Sequence, residues 1–454
     1  MNRWSAFLFL VFALPLPEAS VHPLAWNLAA TLAFVVLGIE LRSRFIEQTT
    51  RSLPDLPVTL AFSHSALPLL LIWGVQCWVV LQWATFSFSP YDSLMSLSQG
   101  LFYASMFTLA LLLVDSRQRV RQLVWVVVAA ASFQALYGAF MVLTGLEYGF
   151  FAAKEHYLGV ATGTYVNRNS LAGLMELSLA LGIGLLLAEP TRYFGSARQR
   201  LRQLIEVLLS KKVILRLLLA IMVIALVLTR SRMGNTAFFA SLMVSGALAL
   251  VLMRNKTTAT TVLLGSLLVI DIAIVGTFFG VDKVAERLQQ TSSQTESRDE
   301  VTRDTFNIFL DNPITGTGAG TFTHTFPALK SADVTSFGLY NNAHNDYAQF
   351  ASEFGAPALI ALAVVVLWAF WNGIVAMRQR NSRFYQGLGF SVTMAIVAIG
   401  IHSTVDFNLQ IPANASLFVV ILALSAVARW APHNSSDESS SGRKRRRTGR
   451  KASV

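Results

Sequence analysis

The stretch "GAPALIALAVVVLWAFWNGIVAM", residues 355 to 377, runs 23 residues without a charged side chain. About 20 mostly apolar residues suffice for a helix to cross a bilayer. Directly before it stands "NNAHNDYAQFASEF", residues 341 to 354, which packs three asparagines, a histidine and an aspartate into its first six positions. The first stretch decides the fold class, and the second poses the functional question. A titratable cluster at the mouth of a membrane helix is either a solvated helix start or a reaction centre.

Working outward, apolar blocks of this kind recur along the chain. Hydrophobic residues make up 54% and charged residues 13%, about half the charged share of a soluble domain. The spacing predicts an all-α polytopic membrane protein of about twelve transmembrane helices. They fall near 5–17, 24–41, 66–84, 98–114, 122–144, 168–188, 213–229, 235–253, 260–280, 355–377, 385–405 and 414–431. The start, "MNRWSAFLFLVFALPLP", has the basic end and apolar core of a signal peptide. No A-x-A-like site follows, so it reads as the first transmembrane helix. Cys77, the single cysteine, reads as a small core hydrophobe. Residues 1–432 form the membrane domain, with 281–354 as its one large outer loop. Residues 433–454 form a disordered basic tail suited to anionic lipid.

The net charge of +11 would suit a nucleic-acid binder, but its placement excludes that reading. The tail "SGRKRRRTGRKASV" carries seven positives, and most others sit between spans. "LRSRFIEQTTRS", "SRQRVR", "TRYFGSARQRLRQ", "MRNK" and "MRQRNSR" follow even-numbered spans. The positive-inside rule places those loops and both termini in the cytoplasm, and 281–354 outside. Arg168, Arg230 and Arg232 then stand out as positive charges at span ends on the outer side. Snorkelling to headgroups accounts for a lone arginine there. Three in two short outer segments favour a shared anionic partner.

Each outer cluster has its own chemistry. In "GTYVNRNSLAGLMEL" (163–177), Asn167 or Asn169 can cap the sixth span. Arg168 would then sit at a helix N-terminus, which repels cations unless an anion binds between them. In "LTRSRMGNTAF" (228–238), Arg230 lies near a helix C-terminus, which favours cations by itself, while Gly234 and Asn235 supply the stop and the next cap. Asp346 and Gln349 have capping-box spacing, which puts His344 just before a helix start. A neutral imidazole there can take a proton from a hydroxyl. Asn341, Asn342 and Asn345 can hydrogen-bond a sugar. A capped helix with an interfacial histidine accounts for the same residue types.

In "IHSTVDFNLQIPANAS" (401–416), His402 and Asp406 are four apart on one helical face, a structural or supporting pair without a third metal ligand. Glu176 lies two turns below Arg168, so a Glu–Arg pairing is expected, and Asp271 has no evident partner. Gly316, Gly318 and Gly320 lack the strand–turn–helix setting of a phosphate loop and read as turn chemistry. "SRDEVTRDTFNIFLDNP" reads as an amphipathic outer helix with Val301, Phe306, Ile308 and Phe309 as its apolar positions, and it carries Arg298 and Arg303.

Over residues 150–410, "GTYVNRNSLAGLMEL", "LTRSRMGN", "DNPITGTGAGTF" and "NNAHNDYAQFASEFG" resemble the O-antigen ligase and polysaccharide polymerase family of bacterial inner-membrane proteins. His344, Asn345 and Gly355 form the most specific piece. The resemblance implies a C-type glycosyltransferase-like fold. It also implies an inverting, metal-independent glycosyltransferase with no cofactor, working on the periplasmic side. The donor would be a glycan on undecaprenyl pyrophosphate. The acceptor would be lipid A–core for a ligase, or a second lipid-linked glycan for a polymerase. The family's pyrophosphate-binding arginines fall on Arg168 and on Arg230 or Arg232, and its base on His344. Supporting positions are Asn345, Asn342, Asn167, Glu176, Arg298, His402 and Asp406. The contrasting reading is a twelve-span transporter, but neither two related halves nor broken helices around a midplane site are evident.

Overall fold

A computed structural model describes residues 2–149, 153–188, 211–253, 265, 298–332, 334 and 340–432. The expected 260–280 span (Gly265 apart), Asp271, the 281–297 part of the long loop and the 433–454 tail lie outside the described residues. The described helices are α1 (Arg3–Ala13), α2 (Pro23–Thr50), α3 (Leu60–Ser63), α4 (Ala66–Thr85), α5 (Pro90–Leu113), α6 (Arg117–Thr144) and α7 (Arg168–Ala188). They continue with α8 (Lys211–Leu228), α9 (Arg232–Leu252), α10 (Arg298–Asp311), α11 (Phe322–Leu329), α12 (Asp346–Gln379), α13 (Arg383–His402) and α14 (Pro412–Trp430). Among the described residues, nine are long and apolar enough to cross a membrane: α2, α4–α7, α9 and α12–α14. The chain is an all-helical, multi-pass membrane protein.

Two sequence expectations need correction. The first expected span is only an 11-residue helix, α1, too short to cross alone at 1.5 Å per residue. It instead pairs with α2, where Arg3 reaches Glu40 at 2.8 Å and Arg44 holds the other Glu40 oxygen at 2.7 Å. Cys77 is exposed on the outer face of α4, because Val75, Gln76 and Val79 take the inward positions.

α7 forms the centre. Its whole membrane stretch is buried, and it packs against α13 above all, then α6, α8, α9 and α14. Small residues allow this. A Cβ on Gly184 would meet the Gly387 carbonyl oxygen at 2.4 Å, so α7 and α13 touch backbone to backbone.

The charges sort to the two ends of the bundle. At one end lie the Arg3–Glu40–Arg44 triad and the α6 start, where Arg119 stacks over Trp4 at 5.4 Å. At that end, too, Arg117 and Arg380 both stack on the Tyr385 ring. The other end gathers the starts of α7, α9, α12 and α14, the end of α13, and α10 and α11 of the loop.

Candidate functional site

A broken helix shapes this second end. Inside α12, Gly355 adopts φ 74° and ψ 172°, two residues before Pro357. The break falls where the long apolar run begins, so a polar piece, 346–354, precedes the membrane piece. A break frees carbonyls that need donors. Thr317 N reaches Ser352 O at 2.9 Å, Gly318 N reaches Glu353 O at 3.0 Å, and Trp78 Nε1 reaches Phe354 O at 2.9 Å. Gln82 donates to both Thr315 O and Glu353 O and accepts from Ala319 N. Phe322 N donates to the Glu353 carboxylate at 3.1 Å. Of the "GTGAG" amides, Thr317 and Gly318 are spent on α12, Ala319 on Gln82 and Gly316 on Asn312 O, so turn chemistry, not phosphate cradling, explains the glycines. Gln82 escaped the sequence reading. A glutamine inside an apolar span was its signal, and the side chain is fully buried.

The break holds the polar piece and His344 in place. Asn345, not Asp346, is the N-cap. Its Oδ1 accepts from Ala348 N at 3.0 Å, while its Nδ2 donates to Thr404 O at 2.9 Å. Both polar atoms of Asn345 are therefore engaged in structure. Gln349 accepts from Ala343 N at 2.9 Å, not from the cap residue. Asp346, 1% exposed, staples the loop after α13: its carboxylate accepts from Ser403 Oγ at 2.8 Å and Leu409 N at 3.1 Å. Between loop and helix, His344 sits at φ 51°, a conformation costing a non-glycine residue about 1–2 kcal/mol. Strain of this kind clusters at functional sites. The ring meets Phe407 edge-on at 4.9 Å between centroids, with Tyr340 at 6.4 Å.

Behind His344 runs a line of acids and imidazoles. His344 Nδ1 lies 4.0 Å from Asp406 Oδ1, Asp406 Oδ2 lies 3.8 Å from His402 Nε2, and His402 Nδ1 lies 2.7 Å from Glu176 Oε1. The expected pairing of Glu176 with Arg168 is therefore wrong. Glu176 points into the bundle, where α13 presents His402, and both side chains are fully buried. The loop is tied to α7 by Asn414, which donates to Ser170 O at 2.8 Å and to Asn408 Oδ1 at 3.0 Å. Tyr165 OH donates to Asn414 Oδ1 at 3.1 Å, and burial holds the Tyr165 phenol well above its ordinary value, so it stays a donor.

The arginines lie beside this line. Asn167 caps α7 by accepting from Asn169 N at 2.8 Å, which makes Arg168 the first helical residue. Its guanidinium lies over Tyr157 at 5.5 Å. Ser231, not Asn235, caps α9 by accepting from Gly234 N at 3.1 Å, so Arg232 likewise opens its helix. Asn235 turns back onto Leu226 O and Ser231 O. A Cβ on Gly234 would meet the Ala172 Cβ at 2.5 Å, so the two helices start side by side. Arg230 and Arg232 are exposed, and Arg230 has φ 53°. Among the described residues, no carboxylate pairs with Arg168, Arg230 or Arg232.

The loop helix α10 buries Val301 and Ile308 as expected, but Phe306 is exposed and Asp304 and Thr305 take inward positions. Burial alone would raise the Asp304 carboxyl. Donors from Ser331 Oγ, Ser331 N and Arg303 outweigh it and hold the group below its ordinary value. Arg298 opens α10 half-buried, and Asn342 accepts a long bond from Gln349 at 3.4 Å.

No curated protein matches the chain. Residues 217–363, which carry Arg230, Arg232, His344 and the break in α12, match the O-antigen ligase family model.

Proposed function

We propose that this protein is an inverting glycosyltransferase that moves a glycan from undecaprenyl pyrophosphate to an acceptor hydroxyl at the periplasmic face of the bacterial inner membrane. The family match supports lipid-linked glycan transfer. The observation that carries the finer reading is the pair of arginines, Arg168 and Arg232, opening two adjacent helices with no carboxylate partner among the described residues. Helix starts repel cations and attract anions, so a pyrophosphate between them satisfies both the guanidiniums and the exposed amides. Arg230 adds a third positive charge.

In this reading His344 takes the acceptor hydroxyl proton. The oxygen forms its bond to the anomeric carbon from the face opposite the departing pyrophosphate. The bond to pyrophosphate breaks, and the arginines hold the charge that develops there. Asp406 stabilises the protonated His344. Both termini would be cytoplasmic, with the basic end of the bundle facing them. Lipid A–core is the acceptor favoured for a ligase, and a second lipid-linked glycan would make the protein a polymerase.

The test is a deletion strain complemented with wild-type or His344→Ala protein, read on lipopolysaccharide gels. Loss of all capped lipid A–core identifies a ligase, and single-repeat caps identify a polymerase. A His344→Ala protein that restores full polysaccharide removes the histidine from its role. Solute counterflow in proteoliposomes without lipid-linked substrate would instead revive a transporter.

A further inference from the structure

His402 is fully buried, and each of its ring nitrogens faces a carboxylate: Glu176 at 2.7 Å on Nδ1 and Asp406 at 3.8 Å on Nε2. A neutral imidazole carries one N–H and one lone pair. In either tautomer it would turn a lone pair towards a carboxylate. A ring with a proton on each nitrogen presents a donor to both, as a hydrogen bond to Glu176 and as a charge pairing beyond hydrogen-bond reach to Asp406. Asp406 in turn presents its other oxygen, Oδ1, to His344 Nδ1 at 4.0 Å, while that oxygen also accepts from Phe407 N at 2.9 Å. Asp346 faces the same cluster from α12, its carboxylate held by Ser403 and Leu409.

We propose that His402, held as an imidazolium by Glu176, is a positioning residue of the transfer site that aims Asp406 at His344. This rests on the proposed role of His344 as the base. The Glu176–His402 pair is then neutral, and it fixes the Asp406 side chain from behind. Asp406 keeps a negative charge that the protonated His344 neutralises when it takes up the hydroxyl proton. Neither Glu176 nor His402 touches substrate. The pair also accounts for a glutamate two turns inside a membrane helix, where an isolated charge is costly.

The arrangement separates two kinds of damage. Glu176→Gln leaves His402 a hydrogen-bond partner but removes the charge that keeps the ring doubly protonated. His402→Gln leaves Glu176 and Asp406 facing each other without the cation.

Two measurements test it. The first is 15N-histidine NMR of the full protein in detergent, with His402→Gln used to assign the signal. A doubly protonated ring is expected for His402 at pH 7.5, lost in Glu176→Gln. A single neutral tautomer in the wild type overturns the proposal, whatever the enzyme's activity. The second is transfer from a synthetic undecaprenyl-pyrophosphate glycan across pH. Glu176→Gln is expected to lower kcat at least tenfold and displace the acidic limb of the profile, with KM for the donor unchanged. Glu176→Asp should recover much of the rate. Unchanged kcat and profile in folded Glu176→Gln protein overturn the positioning role. Wild-type protein without transfer activity, but with a doubly protonated His402, would fault the proposed function and leave the buried imidazolium standing.

Discussion

Gly316 lies so close to Glu353 that a Cβ on it would sit 2.3 Å from the Glu353 carbonyl oxygen, and a Cβ on Gly355 would sit 2.1 Å from Ile314 O. The glycine loop and the broken helix are fitted backbone to backbone, at φ 61° and 74° respectively. Alanine at either position meets both a left-handed penalty of about 1–2 kcal/mol and an overpacking cost of about 1–3 kcal/mol. Gly316→Ala and Gly355→Ala should each lower the thermal midpoint in detergent clearly and displace the 346–354 piece. Gln82→Ala keeps the backbone fit but removes side-chain bonds to the break, and should cost about 1–3 kcal/mol. A Gly355→Ala protein with wild-type stability would show that the break is not constrained as described.

Arg168 should matter for the leaving group more than for the fold. Its described contacts are limited to the Tyr157 ring. Arg168→Ala should leave the thermal midpoint nearly unchanged while lowering turnover about 10²–10³-fold, as for other groups that stabilise transition-state charge. Arg168→Lys keeps the charge but loses the fork geometry, and should fall between. Steady-state kinetics with a synthetic lipid-linked donor distinguishes these outcomes, and full activity in Arg168→Ala would remove it from the site.

Much of this was legible in the sequence, for physical reasons. Hydropathy alone located helices α2, α4–α9 and α12–α14, because a bilayer imposes length and apolarity on any span. The cluster around His344 was legible because polar residues rarely crowd a membrane helix start without cause. Cap positions at Asp346 and Asn235 were each misplaced because Asn, Asp and Ser all cap well, and only the fold selects among neighbours. The partner of Glu176 could not be read at all. His402 is 226 residues away, and only the tight packing of α7 on α13 brings them together. The backbone role of Gly355 was not legible in the sequence, since the donors to the freed carbonyls come from a loop nearly forty residues upstream and from α4.

Asp304 should give the loop that carries α10 and α11 an acid-sensitive tether. Its carboxyl is held below its ordinary value in the fold, so its stabilisation is complete above the unfolded value, about 3.9, and is lost as pH falls through the folded one. Hydrogen exchange of the 298–332 peptides should thus accelerate in wild type below about pH 4. Asp304→Asn should exchange faster already at pH 7, by an opening cost reduced about 1.5–3 kcal/mol, and should lose the acid step. An acid step that persists in Asp304→Asn would place its origin elsewhere.

Arg230 offers a way to separate its two possible contributions. It is exposed and left-handed at φ 53°, whereas Arg232 is an ordinary helical residue. Arg230→Gly relieves a strain of about 1–2 kcal/mol, offset by about 0.5–1 kcal/mol of extra freedom in the unfolded chain. The folded protein should therefore be unchanged or slightly more stable. If Arg230 holds pyrophosphate, the same substitution should cut transfer at least tenfold. A protein that gains stability while losing activity is the signature of a strained functional residue. Arg232→Ala makes the matched comparison: it removes a cation from a helix start, which favours folding by about 0.3–1 kcal/mol without ligand. Whichever of the two variants raises the donor KM or lowers kcat identifies the guanidinium in contact with the leaving group. Full transfer in the Arg230→Gly, Arg232→Ala double variant would rule out both.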